Sequence, residues 1–222
     1  MSGREAILNK VRASLNAGAG DRKTAVDERL RSAPRGLIPA RGQLADAERV
    51  ALFEAQAAKV FSTTERLASH ADLPAAVASY LRSKNLPASI RMGGDPRLRG
   101  SHWSSQPALE VRDGPSDGSD EAGLSHAFGA IAETGTLVLH SGPDNPTTVN
   151  FLPEHHLVVV DAKDVAGDLE TVLANIRDRF GKGVMPRTLN MITGPSRSGD
   201  IEQKMLLGAH GPRALHVFIV EG

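Results

Sequence analysis

"TLNMITGPSRSGDIEQKMLLGAHGPRALHVFIV", residues 188–220, is the stretch whose reading decides the fold. Its two ends, TLNMIT at 188–193 and ALHVFIV at 214–220, are short apolar runs of strand composition. Gly194-Pro195 is a turn signal after the first run. Asp200 and Gln203 have the D-x-x-Q spacing of a helix N-cap, and His210-Gly211-Pro212 reads as a helix stop. The spacing therefore predicts a helix from about Asp200 to Ala209 between two strands. That is a βαβ unit with a right-handed crossover, the building block of a mostly parallel sheet.

This reading predicts a site. Gly194–Gly199 would lie at the carboxyl end of a strand and the amino end of a helix, where open α/β sheets bind ligands. Unpaired backbone N–H groups and the helix dipole favour an anion there. Arg197 adds a charge-assisted contact. Gly194, Ser196, Arg197 and Glu202 are the candidate ligand-binding residues. Asp200 is either the N-cap or a general acid or base. Ser196, Asp200 and His210 imitate the order of a hydrolase triad, and Gly194–Ser198 misses G-x-S-x-G only at its last position. A helix of about ten residues is about 15 Å long, so it would hold His210 far from Ser196 and forbid a triad.

Upstream, Leu157–Val160 (LVVV) has the continuous β-branched character of a strand buried on both faces. Residues 164–180 carry Leu169, Val172, Leu173 and Ile176 at helical spacing. Residues 46–61 do so with Val50, Phe53, Ala57 and Val60, and residues 73–84 with Leu73, Val77, Tyr80 and Leu81. Short strands are predicted at 88–92, 109–112, 130–132 and 136–140, with 113–123 as a Gly/Ser/Asp loop. Glu133-Thr134-Gly135-Thr136 falls in a compact turn. It is read either as a capped hairpin tip or as an anion nest of N–H groups beside a nucleophilic or basic Glu133. Asn145, Thr147, Thr148 and Asn150 follow in a polar loop, and Asn150 joins the candidate ligand-binding set with Thr134, Gly135 and Thr136. Alternating strands and helices predict an α/β fold whose sheet is covered on both faces.

At the amino end, Ser2-Gly3-Arg4-Glu5 has capping-box spacing. Ile7, Leu8, Val11 and Leu15 follow on one helical stripe. Residues 18–42 read as an irregular, Gly/Pro/Arg-rich connector. Residues 1–45 hold nine Lys/Arg against four Asp/Glu, although the whole chain of 222 residues is neutral. They form a basic arm, and residues 46–222 form the main domain.

Composition narrows the function classes. With no cysteine, this chain contributes no disulfide, thiolate nucleophile or cysteine-ligated iron–sulfur cluster. One Trp, one Tyr and no basic stripe argue against nucleic-acid binding. No apolar run approaches the roughly 18 residues of a membrane helix, and the charged N-terminus lacks a secretory core. A soluble cytoplasmic protein is expected. His155-His156 point to opposite faces of an extended chain. No metal-binding or dinucleotide spacing occurs, so neither a metal nor a cofactor is expected in this chain. His70, His102, His126 and His140 carry no spacing information.

AETGTLVL (132–139), LPEHHLVVV (152–160) and the block from Ile192 to Val220 together resemble the lactate-utilization branch of the LUD-domain family. The residues matching its motifs are Glu133, Thr134, Gly135, Thr136, Pro153, Gly194, Pro195, Ser196, Asp200, Glu202, His210, Gly211 and Pro212. Ser198-Gly199 stands where the family usually has Thr-Ala. The resemblance implies a three-layer α/β/α sandwich like that of the glucosamine-phosphate isomerase, ribose-phosphate isomerase and CoA-transferase group. It also implies a bacterial role in oxidising L-lactate to pyruvate beside iron–sulfur partner proteins, with a small anion bound here. Two alternatives remain open: a stand-alone transferase or isomerase using Glu133, and a non-catalytic interaction or regulatory module. Homo-oligomerisation is also left open.

Overall fold

A computed structural model describes residues 2–16, 22–199 and 205–222. The chain divides into two compact units, residues 1–37 and 38–222.

The first unit holds helices α1 (Gly3–Asn16) and α2 (Arg22–Ser32). The capping box forms: Glu5 accepts from the Ser2 N–H at 2.8 Å, and Ser2 Oγ accepts from the Glu5 N–H at 3.3 Å. Helix α2 corrects the expectation of an irregular connector. Its sequence, RKTAVDERLRS, has neither Gly nor Pro, and that punctuation flanks it instead.

The helices of the second unit are α3 (Asp46–Lys59), α4 (Leu73–Ser83), α5 (Pro96–Arg99), α6 (Thr147–Phe151) and α7 (Leu169–Phe180). Strands β1 (Thr63–Leu67), β2 (Ser89–Met92), β3 (Glu110–Asp113) and β4 (Ala122–His126) come first. Then come β5 (Gly129–Ile131), β6 (Thr136–His140), β7 (His155–Asp161) and β8 (Val165–Ala166). The last are β9 (Leu189–Ile192), β10 (Arg197–Gly199), β11 (Met205–Leu207) and β12 (Ala214–Val220).

Six strands form a parallel sheet in the order β1-β12-β7-β4-β2-β3. A smaller mixed sheet runs β8-β5-β6-β9. The LVVV run lies inside β7, and its period-2 geometry explains its composition. Leu157 and Val159 pack with Leu73, Val77 and Leu81 of α4 and with Phe218 of β12. Val158 and Val160 face the other way, onto Val50, Phe53 and Ala57 of α3 and Leu137 and Leu139 of β6. The smaller sheet turns its outer face, with Ile131 and Val138, to Val172 and Ile176 of α7. The fold is α/β, with the parallel sheet enclosed between helical layers.

The segment from 188 to 220 is built differently from the βαβ unit expected. Strand β9 joins the smaller sheet antiparallel to β6, while β12 lies between β1 and β7 in the large sheet. The connection carries an antiparallel hairpin, with Arg197 opposite Leu207 and Gly199 opposite Met205. Residues 205–207, expected to be helical, are strand β11, while residues 200–204 lie outside the described residues. The 164–180 helix also shortens. Val165 and Ala166 pair with β5, and α7 begins at Leu169 behind Asp168, whose carboxylate accepts from the Thr171 N–H at 2.8 Å.

Candidate functional site

Parallel topology gives the large sheet two chemically distinct edges. The chain leaves β2 outward to β3 and then returns through β4, β7 and β12. The strand order therefore reverses between β2 and β4, whose carboxyl ends are Met92 and His126. Ligand sites form at such reversals.

Gly194–Arg197 and His210–Pro212 lie at the opposite, amino edge. There a cavity of about 300 Å³ is lined by Asn150, Phe151, His156, Met191–Arg197, His210–Pro212 and Leu215. Four predicted ligand residues meet in it: Asn150, Gly194, Ser196 and Arg197. His210 lines it too, so the expected separation of Ser196 from His210 by a helix length is corrected. The hairpin folds the chain back on itself, and the Ser196 N–H donates to the Pro212 carbonyl at 2.8 Å. That bond takes the Ser196 N–H out of the predicted cradle of unpaired N–H groups. Asp200 and Glu202, named as acid or base and as ligand residue, lie outside the described residues.

The wall of this cavity contains a buried polar chain. Ser125 Oγ donates to Asn150 Oδ1 at 2.7 Å and lies 3.1 Å from His156 Nε2. The hydroxyl has one proton, so it accepts from His156, and His156 Nδ1 carries a lone pair. Burial holds the His156 pKa down to about 3, and the ring is neutral. Asn150 Nδ2 and His156 Nδ1 are both buried without a partner. The guanidinium of Arg197 sits 5.3 Å from the centre of the Phe61 ring, and among the described residues no carboxylate lines the cavity.

The Glu133–Thr136 turn is a hairpin tip between β5 and β6. Its N–H groups are paired: Glu133 with the Gly167 carbonyl at 3.1 Å, and Thr134 and Gly135 with that of Ile131 at 3.4 and 3.0 Å. The anion-nest reading is therefore corrected, because backbone carbonyls take those donors. Gly135, with φ +68°, lies against α3, where a Cβ would come within 2.6 Å of the Ala57 nitrogen. The Glu133 carboxylate accepts from the Leu169 N–H at 3.3 Å and lies 3.7 Å from Arg41. Thr134, Thr136 and Thr193 form a chain of hydroxyl contacts, each 2.7 Å. Thr193 carries that chain to the amino-edge cavity, whereas residues 133–136 line neither of the two cavities described here.

The second cavity, about 570 Å³, lies at the strand reversal on the carboxyl edge. Its wall mixes Asp95, Asp144 and Asp164 with Arg97, Arg179, His126 and His140. Arg97 grips Asp95 through two side-chain bonds, at 3.0 and 2.8 Å. Burial raises the Asp95 pKa, but the Arg97 bonds outweigh it and leave it lowered. Burial, with nearby Asp161, raises that of Asp164. Sequence reasoning missed this edge because its residues come from separated segments, each following a different strand. The histidine at the end of one predicted strand, His140, was the lone available signal.

An α/β protein with a cleft at each edge of a parallel sheet is the class these features define. Residues 118–220 match the family model described as the LUD domain. Over these residues, a little under half of its length, the chain is similar to the LUD-domain family. It is similar to lactate utilization protein C of Geobacillus thermodenitrificans, with 36% identity over 109 residues, 47% of this chain and 45% of that protein. The Bacillus subtilis protein of the same name is 33% identical over 99 residues, 44% of this chain and 41% of its own length. The match thus spans less than half of these curated relatives. A solved DUF162 family protein from Deinococcus radiodurans aligns over 80% of this chain and 99% of its own, with 26% identity and a TM-score of 0.58. No described helix is long and apolar enough to cross a membrane.

Proposed function

We propose that this chain is a component of a bacterial lactate-utilization system and holds a small α-hydroxy acid or its keto product in the amino-edge cavity. The observation that carries the ligand class is the pair of unpartnered buried atoms, Asn150 Nδ2 and His156 Nδ1, on a wall with Arg197 and, among the described residues, no carboxylate. A buried donor left without an acceptor costs about 1–3 kcal/mol. A carboxylate supplies an acceptor for Asn150 and a countercharge for Arg197. An α-hydroxyl supplies the proton that neutral His156 can accept. Similarity to lactate utilization protein C supports the same ligand class.

Electron removal is assigned to iron–sulfur partner proteins, because a chain without cysteine has no thiolate for such a cluster. Glu133 takes no part in this reading, since its carboxylate is engaged by Leu169 and Arg41. The test is calorimetric titration with L-lactate and pyruvate, then reconstitution with the candidate partners. Binding should weaken at least tenfold in Arg197→Gln and Asn150→Leu, and lactate-dependent electron transfer should require both this chain and its partners. Unchanged affinity in both variants would remove the site. Lactate oxidation by the isolated chain would remove the division of labour.

A further inference from the structure

We propose that His70, His126 and Asp161 form a binding site for one divalent first-row transition-metal ion, such as Zn²⁺, beside the carboxyl-edge cavity. The three side chains come from distant parts of the chain. His126 ends β4, Asp161 ends the neighbouring β7, and His70 follows β1. Their ligand atoms all lie within 4.8 Å of one another.

Hydrogen bonding shows what is missing. His126 Nδ1 lies 2.8 Å from the Ala127 carbonyl. A carbonyl only accepts, so Nδ1 carries the proton and Nε2 carries the lone pair. The His126 side chain is fully buried, and its Nε2 has no hydrogen-bond partner. That lone pair lies 3.7 Å from Asp161 Oδ2, so two electron-rich atoms face each other without a proton between them. A cation between them turns the repulsion into coordination. An imidazole whose far nitrogen is fixed by a carbonyl is also the usual second contact of a metal-bound histidine.

His70 completes the set. Its Nε2 lies 2.7 Å from Asp161 Oδ1, and its ring stacks on that of His126 with centroids 5.7 Å apart. Its Nδ1 is buried and unpartnered. The Nε2 proton now facing Asp161 can therefore transfer to Nδ1 or leave to solvent when a metal takes the Nε2 lone pair. Two imidazoles and a carboxylate suit Zn²⁺ or Fe²⁺ rather than Ca²⁺ or Mg²⁺. Three protein ligands leave at least one coordination position open, as in catalytic rather than structural zinc sites. His126 also lines the cavity, which brings that position to the edge where the strand order reverses.

The test uses the full, untagged chain stripped with a chelator and titrated with Zn²⁺ or Co²⁺ alone, without lactate. One equivalent should bind, and Co²⁺ should develop visible d–d absorption. Affinity should fall at least tenfold in His126→Ala and Asp161→Asn. His70→Ala, at the most exposed of the three positions, should weaken binding with the least disturbance to folding. The exposed His102→Ala and the cavity variant Arg197→Gln should bind as the parent does. Absence of stoichiometric binding would overturn the proposal, and so would unchanged affinity in folded His70→Ala and Asp161→Asn proteins. Loss in Arg197→Gln would also overturn it, by placing the metal at the other edge.

Discussion

Lowering the pH should destabilise this protein well before its carboxylates titrate, through His156 and His216. His156, in β7, is fully buried beside Ser125 in the polar chain that ends on Asn150, and burial holds its pKa at about 3. His216 lies in β12, with Nδ1 2.6 Å from Thr63 Oγ1. Burial, and secondarily Lys84, hold its pKa at about 4. Both are depressed below 6.5, so between these limits the unfolded chain binds protons that the native chain refuses. Stability is therefore intact above pH 6.5 and falls as the pH drops. Each residue contributes a slope of up to about 1.4 kcal/mol per pH unit. Integrated from neutrality to pH 5, that is about 2 kcal/mol each and about 4 kcal/mol together. Urea denaturation at half-unit steps from pH 7.5 to 4.5 measures this directly. His156→Gln retains a donor toward Ser125, and His216→Asn retains a contact to Thr63. Each should remove about 1.4 kcal/mol per unit of the slope near pH 5. A slope that survives both substitutions unchanged would refute the assignment of acid sensitivity to these rings.

Gly135→Ala should destabilise by about 1–3 kcal/mol from the positive φ alone, and by more because the new Cβ meets the α3 backbone, read as a lower urea midpoint. Asp168→Ala removes the side-chain cap of α7 and should cost about 1 kcal/mol by thermal melting, with Asp168→Ser recovering most of it. Phe218→Ala opens the core between β12 and α4 and should cost about 3–5 kcal/mol in chemical denaturation.

The sequence was most legible where one local period sets an element. Helices α3 and α4 and strands β7 and β12 match their apolar patterns, because each buries a regular stripe or both faces of a strand. Strand β4 was illegible: AGLSH has the composition of a loop, yet all five residues are buried. Each is suited to a neighbour distant in sequence. Gly123 leaves room for the Val149 carbonyl, Ser125 bonds Asn150, and His126 faces Asp161. The hairpin at 197–207 was misread because capping spacing is a local signal, whereas pairing between β10 and β11 depends on where the chain returns.

The candidate site divides in the same way. Sequence alone named Asn150, Gly194, Ser196 and Arg197 as candidate ligand residues, and the fold gathers these four in one cavity. It also determined the α/β class and the absence of any thiolate chemistry in this chain. Tertiary structure decided which edge of the sheet each group occupies, and it brought His70, His126 and Asp161 within coordinating distance. The physical reason is range. Periodicity and capping act over a few residues, whereas strand order is set by packing β12 and β7 between β1 and β4, strands far apart in the chain.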